Sequence, residues 1–302
     1  MQNTQSHPGF RGIWLPLVTP FHRGEVDFDA LQRLVGHFSV TGIAGFVVCG
    51  STGEAAALEE PEQLAVLDTV LECANGLPVI MGLAGNHLGH VLARLGRCNE
   101  RPLAGVLAPA PYYIRPAQDG LRDYFRRLAD ASRAPLVLYD IPYRTGTTLT
   151  LETLLTLADH GNIGAIKDCG GNALNTQALI ADGRLAVLAG EDHQLLGTLA
   201  LGGQGAIIAC AHFHPERFVA IWRAVSEGRL DEARRLFYAL MPLIQTLFAE
   251  PNPGPIKALL ARQGWLRDEL RAPMTRASPE LANQLAAIFD AMDIVSGAVS
   301  QP

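Results

Sequence analysis

Short apolar runs alternate with longer amphipathic stretches along most of this chain. The runs Gly12–Val18, Ile43–Cys49, Pro78–Gly82, Gly105–Ala108, Leu136–Tyr139, Gly164–Lys167, Leu185–Leu188 and Gly205–Ala209 are nearly continuous in apolar character. Continuous rather than alternating hydrophobicity predicts parallel strands buried on both faces. Between them, apolar positions at helical spacing predict helices over Asp29–Thr41, Pro61–Ala74, His87–Cys98, Gln118–Ser132, Leu151–His160, Asn172–Asp182, Asp192–Leu201 and Pro215–Glu227. Asp27 or Asp29 is placed to cap the first helix. Pro61 suits a first helical turn, with Glu59, Glu60 and Glu62 at the positive end of the dipole.

Strict alternation of eight strands and eight helices, within about 220 residues, predicts an α/β fold of the (β/α)8 TIM-barrel type. A doubly wound sheet would need a topological switch point, and none is apparent. Beyond the eighth unit, Leu230–Phe248, Gly254–Gln263 and Pro279–Met292 read as helices with no strand between them. The expected organisation is an N-terminal tail (1–10), a barrel (11–228) and a C-terminal helical extension (229–302).

Composition narrows the function. Of 302 residues, 48% are apolar and 18% charged, too apolar and too weakly charged for a disordered chain. The net charge of -6, with no basic stripe to offset it, argues against a nucleic-acid partner. No apolar run reaches the roughly 18 residues of a membrane span. Met1 to Pro8 has no basic-then-apolar signal pattern, so a cytoplasmic location is expected. Five scattered Cys with no C-x-x-C spacing suit a reducing compartment and offer neither a disulfide framework nor a zinc site. His212 and His214 lack a third ligand nearby in sequence and are read as structural, so no metal is expected. The cluster Gly202-Gly203-Gln204-Gly205 precedes its strand and lacks the dinucleotide fingerprint, and no G-x-S-x-G elbow occurs. No cofactor is expected.

One count is unusual. Only two of the 24 basic residues are Lys, Lys167 and Lys257; the other 22 are Arg. A Lys amine can lose its proton and attack carbon, which a guanidinium cannot do. In a TIM barrel, function sits at the C-terminal strand ends. There lie Gly50-Ser51-Thr52-Gly53-Glu54, whose amides and hydroxyls suit an anion, and Pro109 to Pro116 with Tyr112 and Tyr113. Tyr139 ends the fifth strand, with Arg144 beyond it as a candidate carboxylate clamp. Lys167 ends the sixth strand, where burial should lower its pKa and make it a Schiff-base nucleophile. A Lys167 held by Asp168 or a neighbouring carboxylate is the alternative. The seventh strand leads into Gly190, Glu191 and Asp192, carboxylates over the pocket. Lys257 stands at a helix start and receives no catalytic role.

Taken together, Gly50 to Glu54, Pro111 to Tyr113, Leu138 to Pro142, Arg144 to Gly146, Ile166-Lys167 and Glu250 to Pro253 resemble the dihydrodipicolinate synthase and N-acetylneuraminate lyase family of class I pyruvate aldolases. The likeness spans about residues 10–290. It implies a Lys167 imine with pyruvate that becomes an enamine and attacks an aldehyde. It also implies a proton relay of Ser51, Tyr113 and Tyr139, with Tyr113 supplied by a neighbouring subunit of a homodimer or homotetramer. By the same likeness Thr52, Arg144, Gly190 and Ile207 bind substrate, and Thr52 holds the pyruvate carboxylate. Arg144-Thr145-Gly146 looks like the synthase branch, in which the Arg holds the carboxylate of aspartate semialdehyde. Another pyruvate-imine aldolase, dehydratase or deaminase acting on a sugar acid or keto acid is the alternative. A silent keto-acid sensor is a third reading, opposed by the intact Lys167, Tyr139 and Tyr113. The chain departs from the family at Ser51 (usually Thr), Ile114 and Asp140 (usually Asn) and Asp168 (usually Glu). At the lysine-feedback site, Asn86 and Tyr112 match, but His90 replaces an acid and Glu60 a His, so weak or absent lysine inhibition is expected.

Overall fold

The computed structural model describes the backbone of residues 9–299, with side chains through residue 292. Residues 1–8 of the expected tail, and 300–302 of the extension, lie outside the described residues. Eight strands close into a fully parallel barrel: β1 Gly12–Pro16, β2 Gly45–Val48, β3 Val79–Gly82, β4 Gly105–Pro109, β5 Leu136–Asp140, β6 Ile163–Asp168, β7 Ala186–Ala189 and β8 Gly205–Ile207. Each strand pairs with its sequence neighbours, and β1 closes on β8 with Trp14 opposite Ile207. The helices between them are α1 Phe28–Phe38, α2 Glu60–Cys73, α3 Leu88–Cys98, α4 Gln118–Ala131, α5 Leu151–Ala158, α6 Ala173–Asp182, α7 Leu195–Ala200 and α8 Pro215–Ser226. The predicted (β/α)8 barrel is therefore present, followed by α9 Leu230–Leu247, α10 Gly254–Arg262 and α11 Pro279–Val299.

Continuous apolar strands serve two cores at once. One side of each strand packs outward on the helices, as Leu15, Phe46, Val48 and Met81 do on the α1, α2 and C-terminal layer. The other fills the barrel with Trp14, Val47, Ile80, Leu107, Val137, Ala165, Leu188 and Ile207. Gly45 makes that filling possible, because a Cβ there would lie 2.5 Å from a Trp14 ring carbon. Strand side chains alternate faces. Tyr139 follows inward Val137, and Lys167 follows inward Ala165, so both side chains reach the barrel interior at its C-terminal rim. The register pairs Tyr139 directly with Lys167.

Several boundaries differ from the sequence pattern. The first strand stops at Pro16 and the eighth at Ile207; Ala209–His212 is a 3-10 turn. The Asp192 carboxylate accepts from the Cys210 N–H at 2.6 Å and bends the chain there. The predicted helix from Asp192 begins as a 3-10 turn, Asp192–Gln194, before α7. A hairpin of Phe21–His22 with Glu25–Val26, and a helical turn at Pro142–Thr145, are too short to leave a periodic signal. Asp27 is the α1 cap, accepting from the Ala30 N–H at 3.0 Å. Among the described residues, no helix is long and apolar enough to cross a membrane.

Candidate active site

Lys167 is 6% exposed, with its Nζ 4.5 Å from the centre of the Tyr139 ring. Burial is the largest influence on its ammonium and lowers its pKa. Cys169, Asp192 and Glu191 pull the other way, and Arg144 adds a smaller lowering. A desolvated amine keeps more of its population neutral and nucleophilic. Asp168 does not hold it: that carboxylate accepts from the Gly170 N–H and the Thr176 hydroxyl on the helix side of the strand. The alternative of an Asp168-paired lysine is thereby set aside. Gly190 gives Lys167 its room, since a Cβ there would meet Cys169 Sγ at 2.3 Å and Lys167 Cγ at 3.0 Å.

Tyr139 is buried, and its hydroxyl is raised well above its ordinary pKa, chiefly by desolvation. A side-chain hydrogen bond with Ser51 opposes that rise. Ser51 and Thr52 belong to the loop after β2. Thr52 is 4% exposed, and its Oγ1 accepts from Asn252 Nδ2 at 2.9 Å. A hydroxyl that accepts there keeps its own proton for another acceptor, such as a carboxylate. Ser51, Thr52, Tyr139, Arg144, Lys167, Gly190 and Ile207 all line one narrow cavity of about 30 Å³. A larger, mostly apolar cavity of about 330 Å³ shares Ser51, Tyr139, Arg144 and Asn252 with it. Tyr113 is not brought to either cavity. Its side chain is 88% exposed, its backbone is left-handed (φ 70°), and its N–H donates to Thr145 O at 3.2 Å.

Residues 9–292 match the family model described as the dihydrodipicolinate synthetase family. The chain belongs to that family. A 4-hydroxy-tetrahydrodipicolinate synthase from Methanocaldococcus jannaschii is 36% identical over 90% of this chain and 94% of its own length. The enzyme named 4-hydroxy-tetrahydrodipicolinate synthase 2 from Clostridium acetobutylicum is 34% identical over 91% and 97%. The crystal structure of dihydrodipicolinate synthase from Aquifex aeolicus superposes with a TM-score of 0.91 at 32% identity, covering 94% of this chain and 98% of that one. The synthase structure from Methylacidiphilum fumariolicum gives 0.92 at 30% identity, covering 96% and 98%.

In this member of the dihydrodipicolinate synthetase family, three polar groups join the site without a role assigned from sequence. Asn252 lies within the Glu250 to Pro253 motif, which carried the resemblance but no function; it is 9% exposed, and its Oδ1 is buried without a hydrogen-bond partner. Tyr143 donates to Glu191 at 2.9 Å across the pocket mouth, beside Arg144. Only adjacency to Arg144 could have singled it out. Asp192 is fully enclosed, its carboxyl raised above the ordinary range by burial. His212 is structural: Nε2 accepts from the Val18 N–H at 3.3 Å, Nδ1 bonds Ala209 O at 2.8 Å, and burial lowers its pKa to about 4. Among the described residues no group of three or more His, Cys, Asp or Glu could hold a metal ion.

Proposed function

We propose that this protein is a lyase of the 4-hydroxy-tetrahydrodipicolinate synthase type, condensing pyruvate with L-aspartate 4-semialdehyde through an imine on Lys167. The observation that carries the chemistry is the buried Lys167 amine against Tyr139 in a cavity lined by the Ser51–Thr52 loop. The neutral amine attacks C2 of pyruvate, and loss of water leaves the C=N bond. The imine nitrogen draws electrons from C3, which releases a proton and becomes the nucleophilic carbon of an enamine. That carbon then bonds to the aldehyde carbon, whose oxygen takes up a proton. The amine of the semialdehyde portion attacks C2 in place of Lys167, which closes the ring and frees the Lys167 amine. Tyr139 and Ser51 carry these protons, and a high-pKa phenol suits a group that gives back what it takes. Thr52 holds the pyruvate carboxylate, Gly190 and Ile207 wall the pocket, and Arg144 receives the carboxylate of the aldehyde.

In this reading residues 11–228 carry the reaction and residues 229–302 shape it. Tyr113 completes the relay of a second copy, in a homodimer or homotetramer. Its support is the run Tyr112, Tyr113 and Ile114, exposed at 44%, 88% and 55% beside the larger cavity. Five free cysteines, four of them buried, suit a cytoplasmic enzyme. Borohydride reduction with pyruvate should add a three-carbon mass at Lys167, and Lys167→Ala should abolish it. Absence of the adduct in the wild type would refute the imine. Product formation from aspartate semialdehyde, followed with coupled dihydrodipicolinate reductase, separates this reaction from that of another pyruvate-imine aldolase, dehydratase or deaminase.

A further inference from the structure

The second lysine is as enclosed as the first. Lys257, near the start of α10, is fully buried and forms an ion pair with Glu54, whose side chain is 1% exposed. Its Nζ also donates to Glu269 O at 2.9 Å and sits 4.1 Å from the centre of the Phe21 ring. The other Glu54 oxygen accepts from the Arg271 N–H at 3.2 Å. The Arg271 guanidinium bonds Glu62 and the Ala57 and Gly24 carbonyls, and faces Phe21 at 4.6 Å. Burial pushes the Lys257 ammonium down, and Glu54 is the strongest influence holding it up.

Glu54 closes the loop that presents Ser51 and Thr52. Its backbone is left-handed at φ 53°, which no side chain other than Gly takes without cost. Burying two charges is expensive, and a neutral pair of similar volume is commonly as stable or more so. Stability therefore does not explain the pair, whereas a fixed distance does. An ammonium that must touch a carboxylate, a carbonyl and a ring face leaves Glu54 one position. This chain keeps a Lys here amid its 22 Arg, and an ammonium is a compact point of contact on a single flexible stem. Asn252, five residues before Lys257, reaches Thr52 from the same extension.

We propose that Lys257 is a positioning residue: through Glu54 the C-terminal extension clamps the Gly50–Glu54 loop in the shape that receives the pyruvate carboxylate. This rests on the reading that Thr52 binds that carboxylate. The test uses the full-length double variant Glu54→Gln/Lys257→Met, which removes both charges and leaves neither unpaired. It should fold, with circular dichroism like the wild type. At saturating pyruvate it should still give the borohydride adduct on Lys167. Its pyruvate KM should rise about tenfold or more while the aldehyde KM moves less than about twofold, because only the interaction with one substrate is lost. A folded double variant whose pyruvate KM stays within about twofold of the wild type would overturn the clamp, and so would equal changes in both KM values. If the double variant does not fold, Glu54→Asp, which keeps both charges and moves the carboxylate by one methylene, is judged by the same ratio of the two KM changes. A wild type that forms no adduct overturns both the clamp and the reading beneath it, whereas an active wild type with unresponsive variants overturns the clamp alone.

Discussion

Asp140 is an enclosed acid, and replacing it with Asn should make the protein more stable above neutral pH. The residue is 4% exposed, at the end of β5 on the helix side of the barrel. Desolvation raises its carboxyl to about 7, helped by nearby Asp168 and opposed by the Leu149 N–H, which donates to Oδ1 at 3.2 Å. The two carboxylates converge on Gly170, where a Cβ would lie 2.5 Å from Asp140 Oδ2 and 3.2 Å from Asp168 Oδ1. A carboxyl raised in the folded state binds its proton more tightly there than in the unfolded chain. Stability then falls as pH rises between the unfolded pKa near 4 and the folded one, and the full loss applies above about pH 7. That interval corresponds to roughly 4 kcal/mol at most, and about 2–4 kcal/mol is a fair expectation after relaxation of the surroundings. Asn keeps an oxygen for the Leu149 N–H and offers an N–H toward Asp168, with no charge to bury. Urea unfolding of wild type and Asp140→Asn, at one protein concentration between pH 5 and pH 8, should give curves that diverge as pH rises. A stability difference that is the same at pH 5 and pH 8 would refute this account.

Other expectations follow from the same geometry. Gly190→Ala places a methyl against Cys169 Sγ and Lys167 Cγ. It should cost about 1–3 kcal/mol and lower the borohydride adduct yield, read by thermal midpoint and mass spectrometry; a full yield would contradict the fit. Arg144→Ala should leave the pyruvate adduct unchanged but lower kcat/KM for aspartate semialdehyde about a hundredfold, as loss of a charge-assisted carboxylate contact would. Equal loss in both steps would remove Arg144 from aldehyde binding. L-lysine should bind weakly or not at all by calorimetry, because His90 offers an ammonium no carboxylate and Glu60 is already paired with Arg97 at 2.7 Å. Tight binding would overturn that expectation.

What could be read along the chain was what nearest neighbours encode. Continuous apolar runs, turn glycines and 3.6-residue spacing reflect the local environment of each element, so all eight barrel strands and the barrel class were legible. Lys167 and Tyr139 were legible for the same reason: strand-end position is a local property, and the fold class alone makes that end the functional one. Short pieces escaped, because two-residue strands and a four-residue helix carry only about one period, too little for a repeat to show. Contacts across the fold were invisible in principle. Asn252 and Thr52 are 200 residues apart, and Lys257 meets Glu54 through a helix with no pattern that names its partner. The same limit applied to Asp168, whose adjacency to Lys167 suggested an ion pair. Strand alternation sends it to the opposite face, toward Thr176. The sequence by itself determined the barrel and the strand-end place of Lys167; tertiary structure decided that both of its lysines are buried, one facing the cavity and the other locked to the loop beside it. Closing the chain is what removes water from each amine, and desolvation is a property of the packed molecule rather than of any stretch of residues.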